Sequence, residues 1–425
     1  MSMARFLVLQ LARLGDLLQT RRLLAGLFAQ IAADGGEGEV HLAVDASLAS
    51  LAGRLYPFVQ VHALPAHAGP GRDPAAVALA VRQACGELAA IPFDQVFCLN
   101  FSPLGMAISA LFPPEVQRGY RQFSGQPDKD RLLRLVFRLT RERRAVGLNL
   151  ADIWAHLSDI PLAPALVNPP AAPRGGGLGV ALAGRMARRS LPPEILAPIV
   201  RTVFRTSGAK RVTLIGTAAQ ASEARALIKQ LDPATATACL DLTGRTGLGE
   251  LCEVIASLDR LLTPDTGAMH LAAFHGVPVT AFFLSSAWCH ETGPYGVGHE
   301  VWQSVVPCTP CLESVPCEKG HVCRLPFADP ALLRLLGGSA RVEPPAGLAL
   351  FHTDCDGLGA VCRLERGEDS SEADRRAFRT FAARHLAGED AALADGTPEA
   401  ALAERYFLET DWTLPPPGRD AAGEE

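Results

Sequence analysis

A chain of 425 residues, 48% hydrophobic and 20% charged, is long enough for two or three domains with their own cores. A formal net charge of −5 and an aromatic content of 6% argue against nucleic acid as a partner. No stretch of ~18 apolar residues suggests a membrane span, and Arg13 and Asp16 interrupt the first apolar run, unlike a signal peptide. The eleven cysteines are therefore expected as reduced thiols in the cytoplasm, with peripheral contact to an inner membrane left open.

Residues 5–11 read as a strand, Leu14-Gly15-Asp16 as a turn and residues 17–31 as an apolar-periodic helix. Residues 40–44 read as the next strand, 76–90 as a helix and 95–100 as a strand. Residues 161–177 (PLAPALVNPPAAPRGGG) break both helix and strand and read as an interdomain connection. A second alternation follows, with strands at 178–182, 211–215, 260–263 and 279–283. The intervening helices are expected at 193–207, 222–231, 248–257 and 268–275. Strands that alternate with helices predict parallel sheets covered on both faces. The expected fold class is α/β, with two Rossmann-like parallel-sheet domains facing across a cleft, where ligands bind beyond the carboxyl ends of the strands. The expected boundaries are 1–165 for the first Rossmann-like domain, 166–177 for the linker and 178–338 for the second. Residues 339–425 form an extension with apolar pieces at 348–351 and 360–364 and a charged helix at 372–385. Its Pro-, Gly- and Glu-rich tail, 412–425, is expected to be disordered.

The most informative segment is RLLTPDTGAMHLAAFHGVPVTAFF, residues 260–283. A strand ends at Thr263, Asp265-Thr266-Gly267 turn the chain, and a helix begins. The free N–H groups and dipole of a helix start favour an anion. Gly267 allows close backbone approach, Thr266 offers a hydroxyl, and His270 lies one turn further on. The same residues also read as an ordinary helix cap followed by a surface histidine.

Here the sequence resembles glycosyltransferase family 9, the ADP-heptose:lipopolysaccharide heptosyltransferases. Asp265-Thr266-Gly267-Ala268-Met269-His270 matches the family's D-T-G-x-x-H signature. The upstream DLTGRTGLGELCEVIASLDRLLTP, the N-terminal FLVLQLARLGDLLQTRRLL and the downstream GVPVTAFF with Gly293-Pro294-Tyr295 are also similar to family segments. The resemblance runs with gaps from residue 5 to about residue 337.

It implies a GT-B fold and an inverting transfer of a heptose or related sugar from a nucleotide sugar such as ADP-heptose. The acceptor would be a lipopolysaccharide core, another saccharide or a lipid-linked glycan. The implied donor-binding residues are Asp265, Thr266, Gly267 and His270. The implied general base is Asp16, with Gly15 and Arg13 on the acceptor side; without the resemblance Asp16 reads as a helix cap. Arg188 stands where the family carries a lysine, in RRSLP in place of Lys-Arg-Trp-Pro, and is the implied phosphate clamp. A solvated arginine pair is the other reading. Glu223 is an implied ribose reader or, equally, a first-turn helix glutamate.

Cys308, Cys311, Cys317 and Cys323 form C-x2-C-x5-C-x5-C, with His321 inside the same loop. Four thiolates suit zinc or an iron–sulfur cluster, and a reduced thiol cluster fits the spacing too. The chemistry itself calls for no cofactor. Asp354-Cys355-Asp356 reads as a turn and not as a metal motif. Two other functions stay open: a non-catalytic nucleotide-sugar-binding scaffold, and a sugar-nucleotide epimerase.

Overall fold

The computed structural model describes residues 3–33, 35–67, 73–123, 125–138, 140–182, 184, 187–389 and 396–406. The tail expected to be disordered, 412–425, lies outside the described residues. The chain divides into two compact units, Met1–Leu162 with Ala373–Glu425, and Ala163–Glu372.

The first unit is built on six strands: β1 (Ala4–Gln10), β2 (Gly38–Asp45), β3 (Val59–Leu64), β4 (Gln95–Cys98), β5 (Gln117–Phe123) and β6 (Gln126–Lys129). Their order is β3-β2-β1-β4-β5-β6, parallel throughout except for the closing β5–β6 pair. β1 is the centre, with Leu7 opposite His41 on one side and Val96 on the other. Its residues Phe6 to Gln10 are all buried, because helices cover both faces of a parallel sheet. The helix expected over 17–31 is two helices, Leu14–Gln19 and Arg21–Ala33. They part at Thr20, whose N–H donates back to the carbonyl of Leu17 at 3.2 Å.

This unit buries an ion pair. Arg22 Nη1 donates to Asp152 Oδ1 at 2.6 Å, with side-chain exposures of 1% and 0%. Arg22 Nε also donates to the carbonyl of Leu162 at 2.8 Å, which fixes where the chain leaves the unit.

The second unit holds eight strands: β7 (Leu178–Ala181), β8 (Val212–Ile215), β9 (Cys239–Asp241), β10 (Arg260–Pro264), β11 (Val279–Phe283), β12 (Glu300–Ser304), β13 (Leu348–Cys355) and β14 (Ala360–Arg366). The order is β14-β13-β12-β11-β10-β7-β8-β9. Strands β9 to β12 in that row run parallel, and β13 and β14 join antiparallel at the edge. The core gathers Val180, Leu214, Leu262 and Phe282 from the strands with Ile199, Val200 and Leu227 from the covering helices.

The Pro-rich connection is docked along this unit. Ala171 N–H donates to Val297 O, Ala172 N–H to Gly276 O and Gly176 N–H to Ser257 O, at 2.8–3.1 Å. The stretch after residue 338 is divided. Its β13–β14 hairpin extends the second sheet, while the helix Glu372–Leu386 belongs almost wholly to the first unit. There Arg375 donates to the carbonyl of Arg144 at 3.0 Å. Asp354 pairs with Arg363 across the hairpin at 2.8 Å, and the Asp356 carboxylate accepts from the N–H groups of Leu358 and Gly359, as a turn requires. Among the described residues, no helix is long and apolar enough to cross a membrane.

Removing one partner of a buried ion pair strands the other charge away from water. Asp152→Ala is expected to cost about 3–5 kcal/mol, read as a lowered urea midpoint for the first unit.

Candidate active site

In an open α/β sheet, ligands bind beyond the carboxyl ends of the strands where the strand order reverses. Each sheet has one such point. In the second unit it lies between β7 and β10, so the loop after β10 and the loop after β7 meet there.

The loop after β10 is Asp265-Thr266, and the helix Gly267–Phe274 starts directly. Thr266 is its N-cap, in extended conformation, with Oγ1 accepting from Met269 N–H at 3.3 Å. The Thr266 hydroxyl also lies 3.1 Å from that of Thr263. The first N–H groups of a helix have no intrahelical partner. With that of Met269 taken by Thr266, those of Gly267 and Ala268 are left for a ligand.

Asp265 is 7% exposed and surrounded by donors. Arg189 forms an ion pair with its Oδ2, and Thr292 Oγ1 donates to the same oxygen at 3.0 Å. His270 Nε2 lies 3.8 Å from Oδ1. Gly184, in the loop after β7, approaches the same backbone: a Cβ there would lie 3.2 Å from the carbonyl oxygen of Asp265.

The two arginines divide their work. Arg188 donates to the carbonyls of Leu312, Glu313 and Val315, in the cysteine-rich loop. Arg324 returns the tie by donating to the carbonyl of Ala187 at 2.6 Å. Arg189, beside it, holds Asp265 and lies 3.9 Å from Glu313. The Nε atoms of both arginines are buried without a hydrogen-bond partner among the described residues, which leaves each an N–H to give. Glu223 is exposed in the first turn of the helix Ala221–Gln230, where its carboxylate accepts from Ser222 Oγ at 2.8 Å.

The four loop cysteines are not equivalent. Cys308, Cys311 and Cys323 lie near one another around Ser285, whose backbone φ of 62° is unusual for a residue with a side chain. Cys311 Sγ is 3.4 Å from Ser285 Oγ, and Cys311 N–H donates to Ser285 O at 3.0 Å. Burial pushes the Cys323 thiol up, while the Ser285 N–H works against that. Cys317 is exposed, and hydrogen bonds from the N–H groups of His321 and Lys319 hold its thiol below the usual value. Among the described residues, a group of three ligand atoms all within 4.8 Å of one another occurs elsewhere, at Cys289, His290 and Cys362.

The reversal point of the first sheet lies between β1 and β4. The loop after β1 carries Arg13, Gly15 and Asp16. Asp16 is half-buried at the start of the helix Leu14–Gln19, with Oδ2 accepting from Arg13 N–H at 3.2 Å. Sequence reasoning missed the residues that hold this loop. Asn100, after β4, accepts from Leu11 N–H at 2.5 Å and donates to buried Gln10 at 2.5 Å. His67 reaches the carbonyl of Leu11 at 2.8 Å. The signal available in the sequence was positional only, a polar Asn at the end of an apolar strand.

The architecture is that of GT-B glycosyltransferases, and residues 201–321 match the family model of glycosyltransferase family 9 (heptosyltransferase). Over that segment the chain is similar to heptosyltransferases. Among solved structures, ADP-heptose lps heptosyltransferase II of E. coli is similar in fold, with a TM-score of 0.51 and 16% identity. That match covers 70% of this chain and 89% of the other. A family 9 glycosyl transferase of Veillonella parvula DSM 2008 gives a TM-score of 0.53 at 15% identity, covering 71% of this chain and 86% of the other. No curated protein sequence matches the chain significantly.

Thr266→Ala removes the cap of the helix Gly267–Phe274 and is expected to destabilise the protein by about 1 kcal/mol. Thr266→Ser, which keeps the oxygen, is expected to recover most of it in the same thermal-unfolding assay.

Proposed function

We propose that the protein is an inverting glycosyltransferase that moves a heptose, or a closely related sugar, from ADP-heptose to a lipopolysaccharide-core or other surface-glycan acceptor. The single observation that carries this reading is the corner after β10. There a capped helix start, the Arg189 guanidinium and a buried carboxylate collect at the reversal point of the donor-side sheet. A nucleotide diphosphate needs such donors twice, once to bind and again as charge builds on the leaving phosphate.

In this reading the diphosphate rests on the N–H groups of Gly267 and Ala268, with Thr266 and His270 beside it. Asp265 takes no part in bond making. Its negative charge orients Arg189, Thr292 and His270. Asp16 removes the proton from the acceptor hydroxyl as that oxygen attacks the anomeric carbon, and the bond to the phosphate oxygen breaks on the opposite face. The electron pair leaves with the nucleoside diphosphate. One carboxylate on the acceptor side is enough for inversion. Glu223 is assigned to the ribose, and Gly15 and Arg13 to the acceptor. In this reading the functional division of the chain runs 1–165, 166–177, 178–338 and 339–425. The four-cysteine loop, if it seats zinc or an iron–sulfur cluster, has the structural duty of presenting carbonyls to Arg188. The setting proposed is the cytoplasm, at or near the inner membrane where a lipid-linked acceptor is assembled.

A thermal-shift series with ADP-, UDP- and GDP-sugars tests the donor. A bound donor raises the unfolding temperature in proportion to the logarithm of its concentration over Kd, and ADP-heptose is expected to give the largest rise. Asp16→Asn is expected to keep that rise while kcat for transfer falls by about 10²–10⁴-fold. Unchanged cellular glycan with Asp16→Asn would instead favour the scaffold reading.

A further inference from the structure

We propose that Cys289, His290 and Cys362 form a soft divalent-metal site of the zinc class, separate from the four-cysteine loop, that pins the edge hairpin to the donor corner. Their ligand atoms all lie within 4.8 Å of one another. Around a tetrahedral zinc, bonds of about 2.3 Å to sulfur and 2.0 Å to nitrogen place such atoms about 3.5–3.8 Å apart. Loading then draws the ligand atoms together by about 1 Å.

Several independent features prepare the position. Cys289 is 1% and His290 7% exposed, and Cys362 is half-buried. The His290 ring is set by Trp288 on one side and by the edge-on ring of Phe351 on the other, with centroids 5.4 and 5.2 Å away. Gln303 anchors the backbone of Cys289 by accepting its N–H at 3.0 Å. Gly293 lets the strand and helix come together. A Cβ there would lie 3.4 Å from Cys362 Sγ and 2.4 Å from the carbonyl oxygen of Cys289. Two thiolates and a neutral imidazole balance the charge of a divalent cation, so the loaded site is neutral, as a buried site requires. Loading releases two protons, one from each thiol, and Cys362 exchanges its 3.5 Å contact with the carbonyl of Cys289 for the metal.

The site joins elements far apart in the chain. Cys362 lies on β14, in the edge hairpin after residue 338, whereas Cys289 and His290 open the helix Cys289–Thr292. The last residue of that helix, Thr292, donates to Asp265 at 3.0 Å. The metal therefore gives the hairpin a role, holding in place the helix that holds Asp265. This last consequence rests on the glycosyltransferase reading; the metal site does not.

The test uses the full chain, purified under reducing conditions without chelator after growth with zinc. Elemental mass spectrometry reads metal per chain. Cys362→Ser is expected to lose one equivalent relative to the parent, and Cys311→Ser, which disables only the four-cysteine loop, is expected to keep it. After stripping, Co(II) titrated into Cys311→Ser should give the visible absorption of tetrahedral thiolate-bound cobalt, and Cys311→Ser with Cys362→Ser should not. Equal metal in the parent and Cys362→Ser overturns the proposal. So does the absence of a cobalt band in Cys311→Ser, or thiol titration showing Cys289 joined to Cys362 as a disulfide. If transfer is measurable, stripping is expected to raise the donor KM more than it lowers kcat. If no donor is turned over, the metal readings still decide.

Discussion

The corner after β10 depends on holding one carboxylate, that of Asp265, where little water reaches it. Asp265 is 7% exposed, and an isolated charge at such a place is costly. Arg189 and Thr292 meet that cost directly, and His270 stands within reach. Each comes from a different element: the loop after β7, the short helix after β11 and the helix after β10. The carboxylate therefore acts as a tie point, and three loops take their positions from it.

A second consequence concerns the cysteine-rich loop. Arg188 gives its N–H groups to three carbonyls of that loop, and Arg324 of the loop gives one back to Ala187. The neighbouring Arg189 is then free of that duty and serves Asp265. Two adjacent arginines are thus separated by function because the short 3-10 turn Ala187–Arg189 aims them differently. The planar fork of an arginine can bridge several carbonyls here, where an ammonium would act as a point charge.

Much of the fold was legible in the sequence. Residues such as Phe6 to Leu9 and Val279 to Phe283 form continuous apolar runs, which buried parallel strands require, and turn residues bound them. β3, β5, β6, β9 and β12 were not read. β3 is only half-buried, β9 has three residues, and β6 contains a proline and two charges, so none carries a strong pattern. The apolar pieces at 348–351 and 360–364 were visible, but nothing local says that they pair with each other and with β12. Pairing across such separations is a tertiary property. The proline-rich connection reads as free chain because proline and glycine weaken local structure. Its N–H groups nonetheless find carbonyls on the second unit, and only the folded surface offers them.

By itself the sequence determined the α/β alternation, the strand-turn-helix at residues 260–274 and the Gly15-Asp16 turn after the first strand. These are local patterns of hydrophobic period and turn chemistry, complete within some twenty residues. Tertiary structure decided which arginine meets Asp265, that Asn100 and His67 hold the loop after β1, and that Cys362 comes to lie beside Cys289 and His290. In each case the partners are separated by tens of residues, and sheet order alone brings them together.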